Sequence, residues 1–300
     1  MTSRIVCILN LAAGTSSEID LDELVRAFER QRVDVLPVKE EVNKIPQIAR
    51  EAARWGAKVV IAAGGDGTVS SVGSGLVDTD AALAVLPLGT LNHFAKDLRI
   101  PLQWESALEI ATCGNTERID VGEVNGRIFI NNSSIGVYPR IVIERRTARQ
   151  RGYGWFLALC SATIATFQKL PKLQVKLMAG GQKVVARTPF IFVGNNRYEM
   201  KGLDFGTRPE LVSGELQVVV AGNVGRFKLA LAAWQALWRG EEAAACVETF
   251  HSTELTIDTW RRRLPVAIDG EVIELESPLM YRSRPRALTV VVPAREEKAA

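Results

Sequence analysis

The chain has 300 residues, 47% of them apolar and 24% charged, with a formal net charge of +3. That length exceeds what one hydrophobic core usually serves, so two domains are expected, and the composition is that of a globular protein rather than a disordered or fibrous one. So mild a charge gives no argument for nucleic acid as a partner, and only two histidines, His93 and His251, speak against a histidine-rich metal site.

The four cysteines, Cys7, Cys113, Cys160 and Cys246, lack Cys-x-x-Cys spacing and read as isolated buried thiols of a reducing compartment. Residues 5–9 are apolar and rich in β-branched side chains. The run is too short for a signal-peptide core and Asn10 interrupts it, so it reads as a first strand. No apolar run approaches the roughly eighteen residues of a membrane span. After the turn Asn10-Leu11-Ala12-Ala13-Gly14, Asp20 is an N-cap with Glu23 as its capping-box partner. Leu21, Leu24, Val25 and Phe28 then recur at helical spacing. Residues 33–38 read as a second strand. Ile45, Ile48, Ala49, Ala52 and Trp55 form the next helical face, which Gly56 ends.

Residues 59–98 carry the strongest signal. Two short apolar runs, 59–63 and 83–86, read as buried parallel strands. Each feeds a glycine turn, Gly64-Gly65-Asp66-Gly67-Thr68 and Pro87-Leu88-Gly89-Thr90, and each turn opens into a helical pattern. Strand, turn and helix, twice over, would aim backbone N–H groups and two helix N-termini at one spot, as a phosphate requires. Glycine lets the backbone approach closely, and Thr68 and Thr90 add hydroxyl donors. Asp66 places a carboxylate among the donors, which a Mg²⁺ or a proton to be moved would explain. Strands alternating with helices imply right-handed βαβ units, a parallel sheet and ligands at the strands' carboxyl ends.

These residues carry a resemblance. The Gly-Gly-Asp-Gly-Thr turn is shared by diacylglycerol kinases, sphingosine kinases, NAD kinases and phosphofructokinases. The second turn narrows it: Pro-Leu-Gly-Thr-x-Asn-x-Phe-Ala-x-x-Leu, here residues 87–98, resembles the diacylglycerol kinase catalytic domain and its bacterial lipid-kinase relatives. The resemblance implies ATP as substrate with Mg²⁺, and nucleotide contacts at Asn10, Gly64, Gly65, Asp66, Gly67, Thr68, Gly89, Thr90 and Asn92. The family's first turn is Asn-Pro-x-x-Gly; here Leu11 replaces the proline.

Residues 105–112 read as the last helix of this domain. From Asp120 the pattern changes: residues 121–124 and 127–130 flank Asn125-Gly126, a hairpin signal. Short alternating runs follow at 173–178, 183–186, 190–193, 215–220, 255–258, 265–269, 272–275 and 288–292, as in an antiparallel sandwich. The fold class expected is therefore α/β plus all-β: a doubly wound α/β domain over residues 1–120, an antiparallel β-sandwich over 121–293 and a polar tail over 294–300. The resemblance implies that the first is the nucleotide-binding domain, that the second is the lipid-substrate domain and that the active site lies in the cleft between them. Two helical segments, 153–169 and 224–239, interrupt the β domain. Arg140, Arg145, Arg146, Arg149 and Arg151 precede the first, and Phe227, Leu231, Trp234 and Trp238 share a face of the second. Packing on the sheet and contact with a bilayer interface both fit them.

Asp269-Gly270-Glu271 matches the Asp-Gly-Glu of the resembled lipid kinases, whose Asp is the proposed general base; Asp-Gly is also a common hairpin turn. Catalytic candidates are thus Asp269 and Asp66, with Glu271 on the substrate side. Asp120 matches a family aspartate linked to the metal network. The family often has Asp where this chain has His93, and its metal-linked Asp-Gly corresponds to Ser213-Gly214. Asp66 and Asp120 remain as Mg²⁺-side candidates. Asn131, Asn132, Asn195 and Asn196 either line the cleft or turn the chain. Asp204-Phe205-Gly206 and Val266-Ala267-Ile268 imitate protein-kinase motifs, but no His-Arg-Asp accompanies them and their order is reversed.

The resemblance implies an ATP-dependent lipid kinase, with diacylglycerol the first candidate and a sphingoid base or ceramide the alternative. A nucleotide-regulated lipid-binding protein without turnover is the alternative from another class. The protein is expected in the cytoplasm, associating transiently with the inner face of the membrane. The sequence does not give an oligomeric state.

Overall fold

Short apolar segments build the centre of the first unit. β1 (Arg4–Asn10), β3 (Ala57–Gly64) and β4 (Ala82–Pro87) become buried towards their carboxyl ends, and β4 is buried along its whole length. Such strands need cover on both faces, which parallel sheets obtain from crossover helices. In the computed structural model, which describes residues 4–11, 20–39, 42–150, 173–179, 182–201, 204–222 and 247–294, they pair in parallel with β2 (Val33–Val38) in the order β2-β1-β3-β4.

The connecting helices follow from local chemistry. Asp20 caps α1 (Leu21–Arg30), its carboxylate accepting the N–H groups of Asp22 and Glu23. Of the expected apolar face, Leu24 and Phe28 are buried, while Leu21 and Val25 remain exposed. In α2 (Ile45–Arg54), Ile45, Ala49 and Ala52 are buried, but Trp55, expected on that face, lies past the helix end and stays exposed. α3 (Asp66–Leu76) follows β3, the five-residue α4 (His93–Asp97) follows β4, and α5 (Trp104–Cys113) leads to β5 (Asn115–Val124). Fully burying a Leu, Ile or Phe side chain is worth about 1.5–3 kcal/mol, and Phe28, Phe94, Ile61, Leu83 and Leu86 are all sealed here.

The chain divides into two compact units, residues 1–120 with 285–300, and residues 121–284. The second domain was expected to run to 293; in this division residues 285–293 group with the first unit. The cause is β18 (Leu279–Val292), whose first residues pair antiparallel with β15 (Glu254–Thr259) and whose end reaches β4 in parallel, Val290 opposite Leu83. A correction concerns cysteine: Cys7 is buried, and burial pushes its thiol well up, but Cys113 is exposed.

In the second unit, Asn125 and Gly126 adopt positive φ, 46° and 79°, in the tight turn joining β5 to β6 (Arg127–Phe129). One antiparallel sheet runs β14 (Val247–Ser252), β13 (Leu216–Ala221), β10 (Phe190–Asn195), β7 (Asn132–Gly136), β16 (Arg263–Ile268), β17 (Glu271–Glu276). The other carries β9 (Gln182–Thr188), β8 (Leu173–Ala179), β15 and the start of β18. Their inward side chains make one core, including Ile135, Val175, Val193, Val218, Ile257, Val266 and Leu279.

β7, β14 and the start of β18 were not expected; serines, glutamates and arginines interrupt their apolar alternation. Asp204–Thr207 is the short strand β12, paired with β11 (Glu199–Lys201), so the Asp-Phe-Gly there is plain hairpin. Arg151 and the helices expected at 153–169 and 224–239 lie outside the described residues. Of the arginine run, α6 (Val137–Gln150) holds the others, of which only Arg140 has a described side chain. No helix among the described residues is long and apolar enough to cross a membrane.

Candidate active site

The two glycine turns of the first unit pack backbone against backbone. A Cβ on Gly89 would lie 2.4 Å from the Cα of Gly65, so that position has no room for a side chain, whereas a Cβ on Gly65 would meet the Cα of Gly89 at 3.4 Å, an ordinary contact. Asn92 sets the second turn. Its backbone is left-handed (φ 50°, ψ 45°), its Oδ1 accepts the N–H of Gly89 at 3.0 Å, and its Nδ2 donates to the carbonyl of Gly89 at 2.7 Å. Asn tolerates this conformation better than most residues because its short amide can bond locally.

Gly65 is the extended N-cap of α3. The N–H groups of Asp66 and Gly67, in the helix's first turn, fall outside its i→i−4 ladder and carry the positive end of its dipole. Gly67 and Thr90 are exposed; Gly65, Asp66 and Gly89 are half-buried. Glycine at 65, 67 and 89 puts no side chain of those positions over the backbone donors, the arrangement that binding an anion requires.

Other expectations change. Thr68 is buried, and its Oγ1 accepts from Nδ2 of buried Asn10 at 2.9 Å. It lies where a Cβ on Gly64 would fall, which explains that glycine. Asn10 and Thr68 thus fasten the end of β1 to the start of α3. The second helix N-terminus is short and partly occupied: α4 is five residues long, and the N–H of Phe94 donates to Asp66 Oδ1 at 3.1 Å. Asp66 joins the two turns as well as placing a carboxylate at the N-terminus of α3. His93 is exposed.

Asp120 is only 1% exposed, and its Oδ1 accepts the N–H of Arg286 at 2.8 Å, tying β5 to β18. Asp120 is thus a buried tie between two strands, while Asp66 is half-buried. Among the described residues no group of three or more His, Cys, Asp or Glu side chains could hold a metal ion. Ser213 donates both its N–H and its hydroxyl to Asn196 Oδ1, each at 2.8 Å. Neutral hydrogen bonds stand where the resembled family carries a metal-linked carboxylate.

In the second unit, Asp269 (φ 46°) and Gly270 (φ 86°) form the tight turn between β16 and β17. The carboxylate does more than turn the chain. Its Oδ2 accepts the N–H of Ile130 at 2.8 Å, and its Oδ1 accepts those of Asn131 and Asn132 at 2.9 Å each. Three successive N–H groups converging on one anion form a nest. Glu271 is exposed at the start of β17.

The carbonyl side of that segment is held by Asn195 and by two residues without a motif in the sequence, Arg208 and Tyr198. Arg208, 3% exposed, donates from Nη1 to the Ile130 carbonyl and from Nη2 to Asn131 Oδ1, both at 2.7 Å. Asn195 Nδ2 donates to the same Ile130 carbonyl at 2.8 Å, and Tyr198 donates its hydroxyl to the Asn131 carbonyl at 2.8 Å. The Tyr198 ring lies 5.5 Å from the Arg208 guanidinium. A single arginine in a loop has no periodicity to betray its burial; the adjoining Pro209 was the one local hint of a fixed backbone.

Residues 4–124 match the family described as the diacylglycerol kinase catalytic domain, and residues 142–292 match the YegS C-terminal NAD kinase β-sandwich-like domain. Proteins from Enterobacter sp. (strain 638) and Yersinia pestis (strain Pestoides F), each described as probable lipid kinase YegS-like, are 40% and 44% identical over 99 residues. That is 31% of this chain and 33% of each relative, so the chain spans about a third of the length of the relatives it matches. The crystal structure of a diacylglycerol kinase from Bacillus anthracis str. Sterne superposes with a TM-score of 0.67 at 19% identity, covering 97% of both chains. A second structure from that strain gives 0.72 at 22%, covering 97% of this chain and 95% of the other. At such identities the structures support the fold alone.

Proposed function

The chain belongs to the family of the YegS C-terminal NAD kinase β-sandwich-like domain and carries a match to the diacylglycerol kinase catalytic domain ahead of it, and from that premise we propose that it is an ATP-dependent lipid kinase. Its reaction would transfer the γ-phosphate of ATP to a lipid hydroxyl, with diacylglycerol as the first substrate and sphingoid bases or ceramide as the alternative. The observation that carries the reading is the pair of glycine turns, packed backbone on backbone at the N-terminus of α3, with Asp66 at their edge.

Phosphoryl transfer asks a protein mainly for positioning and charge stabilisation. The N–H groups of Asp66 and Gly67 hold phosphate oxygens, Gly65 and Gly89 keep the approach open, and Thr90 offers an exposed hydroxyl. Asp66 would face the Mg²⁺ that accompanies the nucleotide substrate, whose charge would offset the repulsion between the phosphates and that carboxylate. Asp269 orients the lipid hydroxyl and accepts its proton. In a loose transition state the attacking oxygen keeps that proton until late, so a carboxylate fixed by three N–H donors serves as acceptor without being a strong base.

Contact with a bilayer has one support among the described residues. Trp260 is 83% exposed on the turn between β15 and β16, beside exposed Arg261 and Arg262. That turn is pinned by Thr259 and Arg262 backbone bonds to Ser277. A fixed, exposed indole among cations suits the headgroup region of an anionic membrane.

The test is labelled ATP with Mg²⁺ and a total lipid extract, followed by identification of the labelled lipid. Phosphatidic acid is expected; a labelled sphingoid or ceramide phosphate selects the alternative, and label that stays out of every lipid rejects the proposal.

A further inference from the structure

We propose that Arg208 is a positioning residue for Asp269, acting through the peptide between Ile130 and Asn131; the inference rests on Asp269 being the proton acceptor proposed above. One peptide unit carries both contacts. Its carbonyl oxygen, on Ile130, accepts from Arg208 Nη1 at 2.7 Å and from Asn195 Nδ2 at 2.8 Å. Its N–H, on Asn131, donates to Asp269 Oδ1 at 2.9 Å.

A cation on the carbonyl draws electron density along the amide and makes the N–H a better donor, the polarisation expected along a chain of hydrogen bonds. The next peptide repeats the pattern: the Asn131 carbonyl accepts from the Tyr198 hydroxyl and the Asn195 N–H, and the Asn132 N–H donates to Asp269 Oδ1. Arg208 Nη2 also holds the Asn131 side chain. The guanidinium therefore fixes and polarises the nest in which the Asp269 carboxylate sits.

The geometry explains why arginine stands at this place. Two coplanar donors reach two acceptors on one residue pair, a carbonyl and an amide oxygen, and lysine's single ammonium cannot span both at 2.7 Å in that fixed geometry. Burial to 3% strengthens these charge-assisted bonds by excluding water. A carboxylate misplaced by an ångström loses on the order of 10²-fold in rate, so loosening the nest acts on transfer rather than on nucleotide binding.

The experiment is a double-mutant cycle on the full chain with Arg208→Gln and Asp269→Asn, read as kcat and as KM for ATP, per folded protein. Arg208→Lys is carried in parallel in case the glutamine variant does not fold. The expectation for Arg208→Gln is kcat lower by roughly 10–10²-fold with KM for ATP unchanged. Arg208→Lys should retain part of the activity. In the Asp269→Asn background either change should add less than about threefold, because the group it positions is already lost.

Multiplying effects in the double variant, a raised KM for ATP, or parental kcat in both Arg208 variants would overturn the role of Arg208 while leaving Asp269 as acceptor. Near-parental turnover in Asp269→Asn alone would instead overturn the acceptor assignment, and this inference with it.

Discussion

Replacing Asp269 with Asn separates two readings of the Asp-Gly turn by stability as well as by rate. If the residue only turns the chain, Asn serves as well as Asp in that left-handed position, and nothing changes. The structure predicts otherwise. An Asn oxygen placed at Oδ1 still accepts the N–H groups of Asn131 and Asn132, but as a neutral acceptor. Its NH₂ then faces the N–H of Ile130, a residue 1% exposed, donor against donor. An unpaired buried N–H costs about 1–3 kcal/mol, and losing the charge from two bonds that were about twice as strong with it adds about 1 kcal/mol. The sum is about 2–4 kcal/mol, or a melting point lower by roughly 5–15 °C for a unit of this size. Thermal unfolding followed by circular dichroism checks the shift, and turnover per folded protein at 25 °C should fall by roughly 10²–10⁴. A melting point within about a degree of the parent would refute the carboxylate nest, whatever happened to the rate.

Gly89→Ala should abolish nucleotide binding while leaving most of the fold, because its Cβ meets the backbone of Gly65 at 2.4 Å and forces the two turns apart; titration with a fluorescent ATP analogue checks it, and parental affinity contradicts it. Asp66→Asn keeps an oxygen for the Phe94 N–H, so its melting point should hold while turnover at saturating Mg²⁺ falls by about 10² or more; Asp66→Ala should lose stability as well, by about 1–2 kcal/mol. Trp260→Ala should weaken sedimentation with anionic vesicles without altering turnover on a detergent-dispersed lipid, and unchanged sedimentation removes Trp260 from the membrane contact.

Much of the first unit was legible because its signals are local. A β-branched run ending in glycines fixes strand, turn and helix together, and the close approach of Gly65 and Gly89 is what the absence of two side chains would permit. The roles inside that frame were less legible. Thr68 and Asn10 read as ligand contacts, yet they bond each other across 58 positions. Nothing in the spacing of Asp66 revealed that it also caps Phe94. In the second unit the strands with clean alternation were found, while polar-rich β7 was not, although it is central to its sheet. The same blindness hid the nest: Asp269 meets residues 130–132 from 137 to 139 positions away, and Arg208 meets Ile130 across 78. Long-range polar contacts leave no periodicity. Asp120 illustrates the converse, a motif aspartate whose buried carboxylate ties two strands together.

The most direct measurement follows ADP release and lipid phosphorylation together, in one reaction, with labelled ATP, Mg²⁺ and diacylglycerol-containing vesicles. One lipid phosphate is expected for each ADP, with both rates collapsing together in Asp66→Asn and Asp269→Asn. ATP bound or hydrolysed with no label ever entering lipid, in the parent protein, would contradict it and leave a nucleotide-binding protein without transfer.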